Sequence, residues 1–461
     1  MKKKLIFTDK TGKRKKWLGR ITLSLLSIGI TLVVLTIAYI YAPTTLPSVV
    51  FNLSEEEKKE VYAFITPNDP LGIESLRKHL HSIDVVLPDA LSIDENYKVT
   101  YQSIDPITSL IKEADVKIVP TLPLERWKLE QLIQSDLVSE TVGKQIVKQI
   151  QYFQSDGVNI ELAPDIEYTL YLPFLDILNE QLSGIDKELY ITVQSNRNSK
   201  EIKVLSSIVD KIIVKAYDPR NPNVQPALPP EKLTETLLKW SEFKDQVVIA
   251  LPTYTLTVNE QFTDKLSFTE VMPIVNKNNS ELYWDNELSQ HYFSYLDHQY
   301  VQKDVWLSDA GTFFNQLQRI SSKQFASVAI DTLGFEDPSI WKLLNKQLDS
   351  NKKISNAIET TEPLVSFKRF GSGEIIKIDS MKQSGKRSVF YNTEGFIENL
   401  TYEKYPVPYE VFHMGGWDEK KIVLSFDDGP SEYTLDILNI LKEHEIRGGF
   451  FRYRLTRFPT P

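Results

Sequence analysis

Two short runs in this chain put carboxylates where a β-strand reads as ending. The first is Asp156-Gly157-Val158-Asn159-Ile160-Glu161-Leu162-Ala163. In an extended chain its side chains alternate, so Val158, Ile160 and Leu162 face one way and Asn159, Glu161 and Ala163 the other. In a parallel barrel the apolar face packs on surrounding helices, and the polar face looks inward, where acids at the carboxyl end do chemistry. Here the row ends in Ala163, which can transfer no proton. The second run is Ser425-Phe426-Asp427-Asp428-Gly429-Pro430, preceded by the apolar Ile422-Val423-Leu424 and followed by a helix-like stretch, 434–444. Alone, Asp-Asp-Gly-Pro is a turn signal. Between a buried-type strand and a helix, its paired carboxylates become a candidate site.

The elements that must position the first run alternate β-rich and helical stretches, the pattern of parallel strands joined by crossover helices. Strands are expected at 61–66, 84–88, 117–122, 157–162, 189–194, 211–216, 246–251 and 325–330, and helices at 71–81, 107–114, 142–153, 170–182, 202–209, 231–240, 310–320 and 338–348. Eight such repeats over 58–348 have the rhythm of a (β/α)₈ barrel. An open doubly wound sheet is the rival, but no glycine-rich phosphate turn follows the first strand. Between the seventh and eighth strands, 253–309 is too long for a plain loop and is expected to form an α+β insertion beside the barrel mouth. Its aromatics, Trp306 among them, either stack on a ligand or form the insertion's own core, and the second is favoured. Residues 349–418 read as a β-rich linker and 419–461 as the start of a second α/β unit.

Charge is unevenly distributed. Residues 1–20 hold nine Lys or Arg against the single acid Asp9, leaving 44 basic and 61 acidic residues, a net of −17, beyond them. Residues 21–42 carry no charge and no proline, long enough as a helix to cross a bilayer core of roughly 30 Å. A retained single-pass anchor is therefore expected, with 1–20 cytoplasmic and 44–461 outside. Membrane lipid is a partner by this reading, and the acidic exterior argues against nucleic acid. The chain has no cysteine, which excludes disulfides and thiolate chemistry.

The first run resembles the fourth strand of family-18 glycoside hydrolases, Asp-Gly-x-Asp-x-Asp-x-Glu. Asp156-Gly157 stand in register, with Asn159 and Glu161 for the two inner Asp and Ala163 for the Glu; Lys215-Ala216-Tyr217-Asp218 matches the Met-x-Tyr-Asp-like run of the sixth strand. Asp331 stands where many members have the Trp that floors a sugar subsite. The resemblance implies a TIM-like barrel whose glycan cleft includes Asp156, Asn159, Glu161, Tyr217, Asp218 and Trp306. In that family the final Glu protonates the glycosidic oxygen while the substrate's acetamido group attacks. With Ala163 in that place the donor is lost. Glu161 lies about 6.6 Å deeper along the strand, beyond hydrogen-bond reach of the mouth. Asp165 and Glu167 follow in the next loop. The hydrolase activity is not expected to carry over.

The second run resembles the first motif of NodB-type polysaccharide deacetylases. That resemblance makes Asp427 the general base and Asp428 a ligand of a divalent, zinc-like metal. The family completes its metal site with a downstream His-x-x-x-His pair, and this chain has none. His79 and His81 sit on an expected barrel helix, and only His444 follows Asp428. After Glu445 the composition turns to Arg447, Arg452, Arg454 and Arg457 with no acid among them. The expectation is a deacetylase domain cut to its first strand and helix, with the reading frame lost near Phe451, no metal bound and no activity. The order of anchor, barrel and motif resembles bacterial deacetylase proteins fused to a family-2 glycosyltransferase, which implies a place in a bacterial cell membrane. Three functions stay open: a deacetylase by descent acting on polymers of N-acetylglucosamine, chitin-like or peptidoglycan; a membrane-tethered barrel that holds such glycans without cutting them; and a decayed product.

Overall fold

The computed structural model describes residues 60–452 except 113, 165–166, 218–226, 259–262, 279, 345–355, 372–374, 380–382 and 416–423. Residues 21–42, expected to span a membrane, lie outside these; among the described residues no helix is long and apolar enough to do so. The chain divides into two compact units, Met1–Leu364 with Lys382–Pro408, and Val365–Met381 with Tyr409–Pro461.

In the first unit the apolar runs form parallel strands: β1 (Glu60–Ile65), β2 (Val85–Pro88), β3 (Lys117–Ile118 and Thr121–Leu124), β4 (Gly157–Leu162), β5 (Glu188–Gln194), β6 (Lys211–Lys215), β7 (Val247–Pro252) and β8 (Ser327–Asp331). They pair in sequence, with β8 returning to β1. β3 was expected as one strand and is two pieces, the first paired with β2 and the second with β4. Pro120 sits at the break, where it has no N–H to give the ladder. Val119 N donates to Val86 O and Asn159 N to Pro120 O, both at 2.9 Å. The sheet therefore curls until its two ends are the two halves of one strand.

The bottom of the barrel is fixed by a repeated device. Asp84, Asp156 and Asp210 stand just before β2, β4 and β6, and their carboxylates accept the N–H of Val61 (2.9 Å), Ile118 (2.8 Å) and Leu189 (2.8 Å) on the preceding strands. Each satisfies a backbone donor that would otherwise be unpaired at a strand's start. Gly157 follows from the same crowding: a Cβ there would lie 2.1 Å from Glu188 O. Along β4, Val158, Ile160 and Leu162 are buried against the helical layer as the alternation predicts. Each contributes about 1.5–3 kcal/mol by leaving water.

The helices follow the expected order, with longer ones at Asp136–Phe153 and Tyr168–Ser183. A helix at Arg126–Leu132 and a hairpin of Leu91–Ile93 with Val99–Tyr101 were not foreseen. The helix expected at 338–348 is described only as Ile340–Leu343. The insertion is a five-stranded antiparallel sheet with the helix Phe268–Asn278. Phe268, Val271, Met272, Val275, Phe293, Val305 and Leu307 form its core. Tyr283 and Tyr292 are exposed, so only some of its aromatics are core.

Within the stretch read as a linker, the strands Gly385–Tyr391 and Ile397–Lys404 pack into the first unit. Arg387, fully buried, pairs with Asp337 at 2.6 Å and donates to Ser339 Oγ and Ile358 O. Tyr402 donates to Asp309, and the His291 ring lies between Asp309 (2.9 Å) and Leu400 O (2.8 Å). Burial would raise the Asp309 pKa, but His291 and Arg387 outweigh it and hold the carboxyl at about 2.

In the second unit Val365–Gly371 and Ile375–Asp379 flank Tyr409–Gly415. Leu424–Gly429 runs into the helix Thr434–Glu443 and on to Gly448–Arg452, which returns parallel to it. The strand expected to be lost to foreign composition is thus present. Phe450 stacks on Phe426 at 4.9 Å, and that contact explains why it forms.

Candidate functional site

The carboxyl ends of β4, β6 and β8 meet at one mouth. The sequence alternation turns Glu161 inward from β4 and Lys215 inward from β6, and β8 ends on Asp331. Lys215 Nζ lies 2.7 Å from Glu161 Oε1 and 3.5 Å from Asp331 Oδ2, and 4.5 Å from the Phe64 ring centre. Tyr217 donates to Asp331 Oδ2 at 2.7 Å, and Thr332 donates to its other oxygen. These groups open into a cleft of about 300 Å³, whose wall also includes Leu124, Ala163, Gln194 and Lys265.

Burial sets the energetics. By itself it would push the Lys215 ammonium down, but Asp331 and Glu161 outweigh it and hold it above the ordinary lysine range. Asp331 shows the mirror effect: burial raises it, but Lys215, Lys265 and the hydroxyls of Tyr217 and Thr332 keep its carboxyl low. Burial, then Asp331, drive Tyr217 far above the usual phenol value, so it is a neutral donor. Asp89, at the tip of β2, is pushed up by burial and by the Glu161 and Asp331 charges, against Lys215.

Of the expected cleft residues, Glu161, Tyr217 and the lost-acid position Ala163 come together here. Asp156 does not join them. It sits at the opposite end of β4, tied to Ile118 N, because six residues of strand separate it from the mouth. Asn159 is one inward position deeper and fully buried, its amide between Thr121 (3.1 Å) and Thr192 (2.9 Å). Trp306 stands on the insertion sheet beside Tyr292 and outside the cleft wall, although its cross-strand row continues through Leu256 to Lys265, which is in that wall. Asp218 and Asp165 lie outside the described residues. Glu167 precedes the next helix and is exposed. The backbone at Ala163 is engaged too: Arg197 donates to its carbonyl at 3.3 Å.

Lys215, Asp89 and Lys265 were not singled out beforehand. Lys215 left a signal: a lone cation ends the run Ile212-Ile213-Val214, and a charge at an inward, buried position needs a partner. Asp89 and Lys265 left none, because loop tips and edge strands are polar by default.

In the second unit Asp427 is exposed on Leu424–Gly429, and the side chain of Asp428 lies outside the described residues. Among the described residues no three His, Cys, Asp or Glu side chains converge to hold a metal. His444 caps the helix that follows. His79 stacks on Trp341 at 4.7 Å, and burial, with His81 and Lys78 nearby, lowers its pKa to about 4. Among the described residues, Asp427, His444 and His79 do not make up a catalytic metal set of three ligands.

The polysaccharide deacetylase family model matches residues 415–454. No curated protein matches the sequence. Among solved structures the chain is similar in fold to the spore cortex-lytic enzyme SleL of Bacillus megaterium, at 14% identity and a TM-score of 0.56 over 63% of this chain and 74% of that one. It is likewise similar to a class V chitinase of Pseudomonas fluorescens (15%, TM-score 0.56, 62% and 98%) and to a chitinase of Chromobacterium violaceum (14%, 0.55, 62% and 98%).

Proposed function

We propose that this is a carbohydrate-processing protein of the polysaccharide deacetylase class, anchored in the membrane by residues 21–42, whose barrel holds an N-acetylglucosamine polymer without cleaving it. Lys215 carries this proposal. A glycosidase of this architecture needs a proton donor within hydrogen-bond distance of the leaving oxygen. At this mouth Glu161 is ion-paired to Lys215 and the rim position is Ala163. What remains suits holding a sugar: a cleft with a phenol oxygen that can accept, a partly exposed carboxylate and an apolar wall from Leu124. Pockets of this kind fix a ligand with a few polar groups. The chitinase-like fold and the deacetylase match at 415–454 support glycan as the ligand class.

Titrating chitin oligomers and peptidoglycan fragments into the full chain, with reducing ends assayed in parallel, tests the proposal. Saturable binding with no new reducing ends is the expected outcome. Release of reducing ends that disappears in Asp89→Asn would make the barrel a glycosidase with a relocated acid. No saturation at millimolar ligand would remove the glycan from the account.

A further inference from the structure

We propose that the barrel mouth recognises the protonated 2-amino group of a glucosamine unit, the product of deacetylation, in preference to the acetamido group of N-acetylglucosamine. This rests on the glycan-holding proposal above and names which form of the sugar the same cleft prefers.

The mouth already seats an alkylammonium. Lys215 Nζ fills the space between Glu161 and Asp331 in the geometry a bound amine would take. It uses only one oxygen of Glu161. The second oxygen has no partner among the described residues, and the side chain is 30% exposed, in the wall of the cleft. At Asp89, burial first and then the Glu161 charge push the carboxyl pKa up, against Lys215. A carboxylate oxygen left open in a cleft wall favours an opposite charge placed beside it.

The acetamido group suits the mouth less well. Its N–H can donate once, and its carbonyl oxygen gains nothing from the open oxygen of Glu161. An ammonium donates three times, and charge-assisted bonds are roughly twice as strong as neutral ones. The field of the chain acts in the same direction. Beyond residue 20, 61 acidic residues stand against 44 basic ones, a balance that steers a cationic polymer toward the surface.

The test is calorimetric titration of the full chain with glucosamine oligomers and N-acetylglucosamine oligomers of equal length, at a pH where the sugar amine is charged. The expected result is binding about ten-fold tighter for the amino oligomer, with the preference shrinking as salt rises from about 0.05 M to about 0.5 M. Glu161→Gln should remove most of it and Asp89→Asn part of it. Equal binding, or tighter binding of the acetylated oligomer, overturns this inference and leaves the glycan-holding proposal standing. Binding of neither oligomer overturns both. An amino preference untouched by Glu161→Gln and Asp89→Asn assigns the effect to the acidic surface at large and overturns the assignment to this cleft.

Discussion

β4 and the strand Leu424–Gly429 begin from the same grammar, an apolar run that ends in acids, and they finish differently. Every apolar side chain of β4 is buried, and its Glu161 is held by a lysine from another strand. Leu424 is 38% exposed, the helix after it shows Leu435 at 72% and Ile440 at 56%, and Asp427 has no described partner. A carboxylate acquires a defined chemistry when neighbours distant in sequence surround it. At the barrel mouth β6 and β8 supply those neighbours, whereas around Asp427 no described residue does.

The sharpest way to break this contrast is Lys215→Met. It leaves Glu161 and Asp331 without their shared cation and should destabilise the first unit by about 3–5 kcal/mol, read by urea unfolding. A change below about 1 kcal/mol would mean the mouth is not organised by this ion triad. Next is Gly157→Ala, whose methyl would strike Glu188 O. Forcing the neighbouring strands apart should cost about 1–3 kcal/mol, seen as an earlier denaturant midpoint without a change in slope.

The third expectation concerns pH. Folded, His79 takes a proton only near pH 4, while the unfolded chain takes one near 6.5. Between those values the unfolded state binds more protons, so stability should fall as pH drops through that window. His79→Phe keeps the stack on Trp341 and should flatten this part of the curve, whereas an unchanged slope would clear His79. The smallest effect is expected in the second unit. Leu435→Lys and Asp427→Asn each should change stability by no more than about 0.5 kcal/mol, and a larger loss would show that this face is covered.

Much of the barrel was legible because its signals are local. Alternation along β4, apolar runs in β6 and β7 and helical periods between them are properties of neighbouring residues, and all eight strands were found. What was missed depends on contacts across the chain. The break in β3 could have been suspected from Pro120, but its role in closing the ring needs both β2 and β4. The strand Gly448–Arg452 looked foreign by composition, yet Phe450 finds Phe426. The segment 385–404 looked like linker because nothing in its polar pattern announces that Arg387 will meet Asp337, buried 50 residues away.

The site divides along the same line. That Ala163 carries no acid, that Glu161 faces inward and that no cysteine can act are fixed by residue identity and strand parity, and no fold could alter them. That Asp156 staples the barrel floor, that Asn159 is sealed between two threonines and that Lys215 pairs with both Glu161 and Asp331 were decided only by the tertiary structure. Their roles depend on which strand lies alongside and how much water is excluded, and a charge acquires its energy from those surroundings.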